Sequence, residues 1–332
     1  MLDGTGLWRD VVELPPALEA TLDGEGIDEV AALLGAGGVR RVVASGNGAA
    51  YYVAVALWLA SLEGRAGPEV VAAPSGLLAR RAFAWRPGDV LLAVSSSGEF
   101  RDLVEAVEAG VPVPIAAVTA NAGSTLGSRA EARALVSVPD QRAVTHTQAF
   151  CGAVVAALAA WAAVTSDSAL DTALRRLPEE LEGTVAAARA WVEEHAESDA
   201  EAAVVLGSGP AWAAALEAAL LLKEVAGLPA EGVETREGAT SAMMALRSGA
   251  LALSLPTGGD DTLLAEAEEI CAGRGATVLR APVPATADSR LAAVSTFPAA
   301  AALAVRLGIE RGLDVDRPAW TEAYYRVARR RA

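Results

Sequence analysis

The chain has 332 residues, a formal net charge of −15, 53% hydrophobic residues and 21% charged ones. That length suits two domains of about 100–200 residues each, and so high an apolar fraction provides a large core and excludes long disorder. The excess of carboxylates argues against nucleic acid and against an anionic membrane surface, since both need clustered cations, and the one basic cluster, Arg326–Arg331, reads as a solvated helix end.

Residues 9–35 alternate polar and apolar at helical spacing, with breaks at Pro15-Pro16 and Gly24, and predict a helical lead-in. Strands are then predicted over Arg41–Ala44, Val70–Ala73, Val90–Val94, Pro114–Val118 and Leu135–Val138. Helices fall between and after them at Gly48–Ser61, Gly76–Phe83, Phe100–Glu108, Thr125–Ala132 and Thr147–Val164. Val90–Val94 is continuously apolar, as a parallel strand covered on both faces should be. Asp167–Leu177 is a polar break with a helix start, and Glu179–Ala196 reads as a charged connecting helix. Further strands are expected at Ala203–Leu206, Ala230–Val233, Ala250–Leu255, Thr277–Arg280 and Ala293–Thr296.

This alternation predicts an α/β protein of two doubly wound parallel-sheet domains. The expected division is a lead-in over 1–36, a first domain over 37–166, a connecting helix over 167–198 and a second domain over 199–332. The two halves match at a constant offset of 161: Gly46 and Gly48 fall on Gly207 and Gly209, the strand at Leu91 on that at Ala252, and Gly98 on Gly259. A period this long implies duplicated domains and not a solenoid, whose units run about 20–50 residues. Cys151 and Cys271 stand alone on apolar segments and read as core residues of a reducing compartment, the cytoplasm. No basic segment followed by an apolar one opens the chain, so no secretory signal is read, and Gly152–Val164 is read as a buried helix, too short to span a bilayer.

The chemistry gathers at a few turns. Asp89–Val94 runs into Ser95-Ser-Ser-Gly, and a helix follows at once. At the carboxyl end of such a strand, a helix N-terminus presents free N–H groups to an anion. The hydroxyls of Ser95, Ser96 and Ser97, with no lysine and no Walker spacing, suit one phosphate on a small ligand and not a nucleoside triphosphate; the bland alternative is a serine-rich N-cap turn. The Gly46-Asn-Gly48 and Gly207-Ser-Gly209 turns lack the third glycine of a dinucleotide fingerprint, with Tyr51 and Trp212 in its place. Glycines that admit a sugar phosphate, with Asn47 as polar contact, fit better. Lys223, the only lysine, reads as a solvated helix residue in preference to a Schiff-base former.

Glu224, which follows the apolar stretch Ala213–Leu222 in the helix Pro210–Gly227, is either a surface glutamate or a base whose pKa burial has raised. His146 lies in Val144-Thr-His-Thr-Gln, between a strand end and a long helix, where it can meet a ligand and move protons. His195, among acids on the connecting helix, reads as a surface residue. Two histidines without paired spacing predict no metal site.

With these pieces in place, the sequence resembles double sugar isomerase (SIS) domain proteins: the isomerase half of glutamine–fructose-6-phosphate aminotransferase, fructosamine phosphate deglycases and tagatose-phosphate isomerase-like proteins. The likeness covers nearly the whole chain. It rests on Glu13-Leu-Pro-Pro-Ala-Leu-Glu-Ala-Thr-Leu, Ser45-Gly-Asn-Gly, Ser95-Ser-Ser-Gly-Glu, Val144-Thr-His-Thr-Gln-Ala-Phe, Glu217-Ala-Ala-Leu-Leu-Leu-Lys-Glu and Asp314-Val-Asp-Arg-Pro, in that order. The resemblance implies two flavodoxin-like domains in a homodimer. It implies phosphate contacts from Ser95, Ser96 and Ser97, and sugar contacts from Gly46, Asn47, Gly48 and the Val144–Thr145 backbone. Glu224 would be the base that moves a proton between C1 and C2, with Glu217 supporting it two helical turns back. No metal and no organic cofactor is implied.

Three positions depart from the pattern. Thr240 stands where many relatives carry a ring-opening histidine, Ala323 where the aminotransferase has a lysine, and Phe100 where the phosphate loop usually ends in threonine. His146 is the candidate substitute for ring opening, unless the substrate is already open. No glutaminase domain precedes, so amide-nitrogen-dependent synthesis is not expected of this chain alone. Two readings remain: an isomerase, deglycase or deaminase acting on a sugar phosphate, or a catalytically silent phosphosugar-binding regulator. The retained glutamates favour the first, and the lost histidine and lysine the second.

Overall fold

The computed structural model describes residues 1–328 except 65, 81–82, 196–198, 260 and 285–287. The C-terminal part of the basic cluster, the last residue of the expected helix Glu179–Ala196 and part of the end of Gly76–Phe83 lie outside the described residues.

The first sheet is five-stranded and wholly parallel: β1 (Arg41–Gly46), β2 (Glu69–Pro74), β3 (Asp89–Val94), β4 (Ile115–Thr119) and β5 (Ala132–Leu135), in the order β2-β1-β3-β4-β5. Every residue of β3 and β4 is buried, which explains the uninterrupted apolar runs Val90–Val94 and Ile115–Val118 within them. Register at the start of β1 and β3 is pinned by charge: Arg41 pairs with Asp89 at 2.5 Å, and the Arg41 guanidinium lies over the Phe83 ring, 5.3 Å from its centre. The edge strand β5 begins three residues before its expected position. Only Ala132 and Ala134 turn inward there, and an edge strand needs no more than that alternation, whereas the apolar run at 135–138 lies mostly past it.

The second sheet contains β6 (Ala202–Gly207), β7 (Ala230–Glu234), β8 (Ala250–Leu255) and β9 (Thr277–Arg280), in the order β7-β6-β8-β9, again all parallel. Arg41, Glu69 and Asp89 open strands that Ala202, Ala230 and Ala250 open again 161 residues later. The strand expected at Ala293–Thr296 is instead a short helix, Ala292–Ser295, continued by Phe297–Glu310. Both helices are buried nearly all round, so their sequence lacks the period that would separate helix from strand.

The lead-in forms three helices, Gly6–Val12, Leu14–Leu22 and Ile27–Leu34. Pro15 and Pro16 do not break the second of these. They sit in its first turn, where the N–H groups they lack would have no intrahelical partner. The connecting helix runs from Ser168 to His195, so the expected polar break at 167–177 is its first three turns. Among the described residues, two helical stretches, Gln148–Thr165 and Ser289–Glu310, are long and apolar enough to cross a membrane, so the helix over 152–164 is longer than expected; both are mostly buried, as core helices are.

The contacts divide the chain into two compact units. One holds residues 16–139, 148–175 and 320–332 and carries the first sheet; the other holds 1–15, 140–147 and 176–319 and carries the second. The segment 140–147, which follows the first sheet in the chain, thus belongs with the second.

Candidate functional site

In the first sheet the chain passes from β1 out to β2 and then crosses back to β3 on the other side of β1. Consecutive loops leave β1 and β3 in diverging directions at this switch point and open a crevice at the carboxyl ends of the strands. Gly46-Asn-Gly48 and Ser95–Ser97 are those two loops, and the pairing of Ser45 with Ala93 puts them on one edge. Gly46 must be glycine because a Cβ there would lie 2.4 Å from the Ala50 carbonyl carbon in the following helix. Asn47 is exposed, and the helix Ala49–Glu63 starts with no side-chain cap.

The serine loop is held from within and from the β4 side. Ser95 Oγ accepts the Gly98 N–H at 3.1 Å and Ser97 Oγ accepts that of Glu99 at 3.2 Å. The Ser96 carbonyl accepts the Ala120 N–H at 3.0 Å and the Thr119 hydroxyl at 3.2 Å. Glu99 accepts the N–H and hydroxyl of Thr125 at 2.6 and 3.0 Å, which ties its negative charge to the start of another helix. Gly98 has φ +65°, and a Cβ on it would lie 1.9 Å from Ser124 Oγ, so no other residue fits. Among the described residues, the N–H groups of Ser96 and Ser97 make no hydrogen bond, and the helix Arg101–Glu108 begins with no side-chain cap. This is a neutral, pre-shaped set of donors for an anion.

The equivalent switch point of the second sheet is built differently. Ser208 donates to Thr235 Oγ1 at 2.7 Å, and Asp261, paired with Arg280 at 2.7 Å, accepts the Thr257 N–H at 3.4 Å. A carboxylate already occupies that turn, which makes it a poor seat for a phosphate.

The unit of the second sheet holds the titratable groups. The helix Ala211–Ala226 packs on β6, β7 and the helix Phe297–Glu310, and it exposes only a narrow stripe. It ends where Gly227 takes the left-handed conformation and the N–H groups of Gly227 and Leu228 both reach the Leu222 carbonyl. Glu217 and Glu224, seven residues apart, lie on similar faces of this helix. Glu217 is buried, and its Oε2 has no hydrogen-bond partner. Burial, with the nearby Glu224 charge, drives the Glu217 pKa well above the ordinary carboxyl value, against a small opposing effect of Lys223. Half-buried Glu224 is raised to about 7 by desolvation, offset in part by Thr145 and by Lys223. The Thr145 contact is loose, for the buried hydroxyl makes no hydrogen bond of standard geometry. Both carboxyls are thus harder to ionise than an ordinary glutamate, and Glu224 is the one raised to about 7.

Thr145 therefore meets Glu224, as its membership of this unit allows, and His146 follows it in the chain. Desolvation lowers the His146 pKa and so favours the neutral ring. Lys223 is exposed, and His195 stacks on Trp191 at the end of the connecting helix. Thr240 turns its hydroxyl back to the Arg236 carbonyl of its own helix at 2.9 Å. Cys151 and Cys271 are buried thiols, one in each unit.

Sequence reasoning missed the residues that hold this segment. Asp10, wholly buried, accepts the N–H groups of Arg142 (2.8 Å) and Ala143 (2.9 Å), and the Asp316 carbonyl accepts that of Val144 at 3.0 Å. Asp316 lies inside the Asp314-Val-Asp-Arg-Pro motif, but Asp10 gave only the ordinary signal of an acid on an amphipathic helix.

No family model matches the chain. It is 27% identical over 351 residues to the glutamine–fructose-6-phosphate aminotransferase (isomerizing) of Aeropyrum pernix, an alignment that covers 93% of this chain and 55% of that one. The chain thus spans about half the length of this relative. Among solved structures, the C-terminal domain of glucosamine-fructose-6-phosphate aminotransferase from Francisella tularensis matches with a TM-score of 0.78 at 18% identity, over 95% of this chain and 99% of that one. Glucosamine-6-phosphate deaminase from Thermotoga maritima matches with a TM-score of 0.77 at 18% identity, over 95% and 98%. With two parallel sheets of matching strand order, these likenesses show that the chain has the sugar isomerase (SIS) fold.

Proposed function

We propose that the protein processes a phosphorylated sugar or amino sugar by moving a proton between C1 and C2, as an aldose–ketose isomerase, a deglycase or a deaminase. The observation that carries this reading is the carboxyl pair on one helix: burial holds the Glu217 pKa well above the ordinary carboxyl value, and that of Glu224 is raised to about 7. A general base works best with a pKa near the operating pH.

In this reading Ser95, Ser96 and Ser97 take the phosphate on their hydroxyls and open N–H groups, and Asn47 and the Val144–Thr145 backbone take sugar hydroxyls. Glu224 as carboxylate removes the proton from the carbon next to the carbonyl, leaving an enediolate. The same carboxyl, now protonated, returns the proton to the neighbouring carbon while the hydroxyl proton passes from O2 to O1, so that the carbonyl moves along by one. Glu217, whose raised pKa favours its protonated form, donates a hydrogen bond, and the His146 ring, whose lowered pKa favours its neutral form, accepts the hydroxyl proton when a cyclic substrate opens. The relatives support the substrate class: one is named an isomerizing aminotransferase of fructose 6-phosphate, another a deaminase of glucosamine 6-phosphate. A homodimer in the cytoplasm is part of the same proposal.

Thr240 favours the second reading, a silent phosphosugar-binding regulator, because its hydroxyl is committed to its own helix and replaces no histidine. Thermal stabilisation by a panel of hexose and hexosamine phosphates tests the substrate class, since a ligand at 100 times its Kd adds about 2.7 kcal/mol. Stabilisation by none of them would sink the proposal; binding without exchange of the C2 proton would leave the regulator.

A further inference from the structure

The segment 140–147 has no helix or strand of its own, so its position depends on tethers. Three successive N–H groups supply them, and all three bond to acids far away in the chain. Arg142 and Ala143 donate to the carboxylate of Asp10 on the helix Gly6–Val12, and Val144 donates to the Asp316 carbonyl. The Asp316 carboxylate in turn accepts the N–H groups of Gly6 and Leu7, both at 2.8 Å, and so fixes the start of the helix that carries Asp10. Arg142 adds a third layer: its guanidinium bonds Asp10 at 3.2 Å, Glu13 at 2.8 and 3.0 Å and Asp140 at 2.8 Å. Of these groups only the Asp10 carboxylate has no exposed surface, and a buried carboxylate is tolerated only when its oxygens are engaged. Thr145 and His146 are the next residues along.

We infer that Asp10 is a positioning residue: by holding the Arg142 and Ala143 backbone it sets Thr145 against Glu224 and fixes His146 beside it in the chain. Its catalytic consequence rests on Glu224 as the base, but the positioning itself does not. Replacement by asparagine turns one acceptor into a donor aimed at an N–H, so the segment loses its anchor.

The chain has only two histidines, and so its imidazole NMR spectrum holds two sets of signals, with His195 as internal control. In full-length Asp10→Asn the His146 signals should shift and broaden while those of His195 stay, and the Arg142 and Ala143 amides should exchange at least about tenfold faster. Asp89→Asn, which weakens the other unit, should leave His146 unmoved at a similar loss of Tm. If Asp10→Asn does not fold, Asp10→Glu keeps the charge but displaces the carboxylate and should move the same signals. Substrate turnover should show kcat down about tenfold or more with KM nearly constant. Unmoved His146 signals and unchanged amide exchange in a folded Asp10 variant would overturn the inference. Full turnover by Glu224→Gln would instead refute the base and leave the spectral result standing.

Discussion

Glu224 owes its basicity to burial more than to any partner. Desolvation raises the pKa of this half-buried carboxyl by more than Thr145 and Lys223 lower it. On the proposed role of Glu224 as base, Glu224→Gln should lower kcat by a factor of about 100 or more, the usual contribution of a general base, with KM within a few-fold, as steady-state kinetics will read. In the unmodified protein, kcat/KM should rise with pH and level off above about 7 as Glu224 loses its proton. Stability should move the other way. Both glutamates hold protons in the folded state above the pH where the unfolded chain gives them up, so each contribution is complete in acid and falls as pH rises toward the folded pKa. Glu217→Gln should flatten that fall, measured as Tm against pH between 4.5 and 9, because the raised Glu217 pKa is one of its two sources. Lys223 and Glu224 stand side by side, but only the structure separates them: one faces water and the other is half-buried.

At the scale of elements, the serine loop depends on its glycine. Gly98→Ala meets a left-handed φ and a Ser124 hydroxyl already bonded to the Asn121 carbonyl and the Gly127 N–H, so neither side can yield. Calorimetry should show phosphosugar affinity reduced about tenfold or more, in line with the loss of one or two charge-assisted hydrogen bonds. Asp89→Ala should cost about 3–5 kcal/mol in denaturant unfolding, because Arg41 would be left largely buried and unpaired. These elements differ in how far the sequence disclosed them. The strands β8 and β9 fall where they were expected, for their turns and apolar runs coincide. The helix Ala292–Ser295 was read as a strand because a short, fully buried run carries no period. The place of the serine loop at the end of β3 and the raised pKa of Glu224 were legible from residue type and neighbours. Asp10 was not, because a tether between residues 10 and 142 leaves no local pattern in either segment.

For the molecule as a whole, two sheets of like strand order carry unlike chemistry. One switch point presents hydroxyls and open N–H groups, whereas the other is filled by Asp261 and Arg280. A net charge of −15 would repel an anionic ligand at long range, so the local donors must supply its affinity. Added salt should therefore strengthen phosphosugar binding slightly or leave it unchanged, in contrast to a site built on lysines. Isothermal titration at about 0.05 and 0.5 M salt will tell: a steep loss of affinity would point to a cationic site elsewhere.

The most direct measurement is deuterium incorporation at C2 of a bound sugar phosphate in D2O, followed by NMR for the native chain and for Glu224→Gln. The account predicts incorporation by the native chain and none by the variant, although the variant binds the same sugar. Incorporation by Glu224→Gln at the native rate would contradict it.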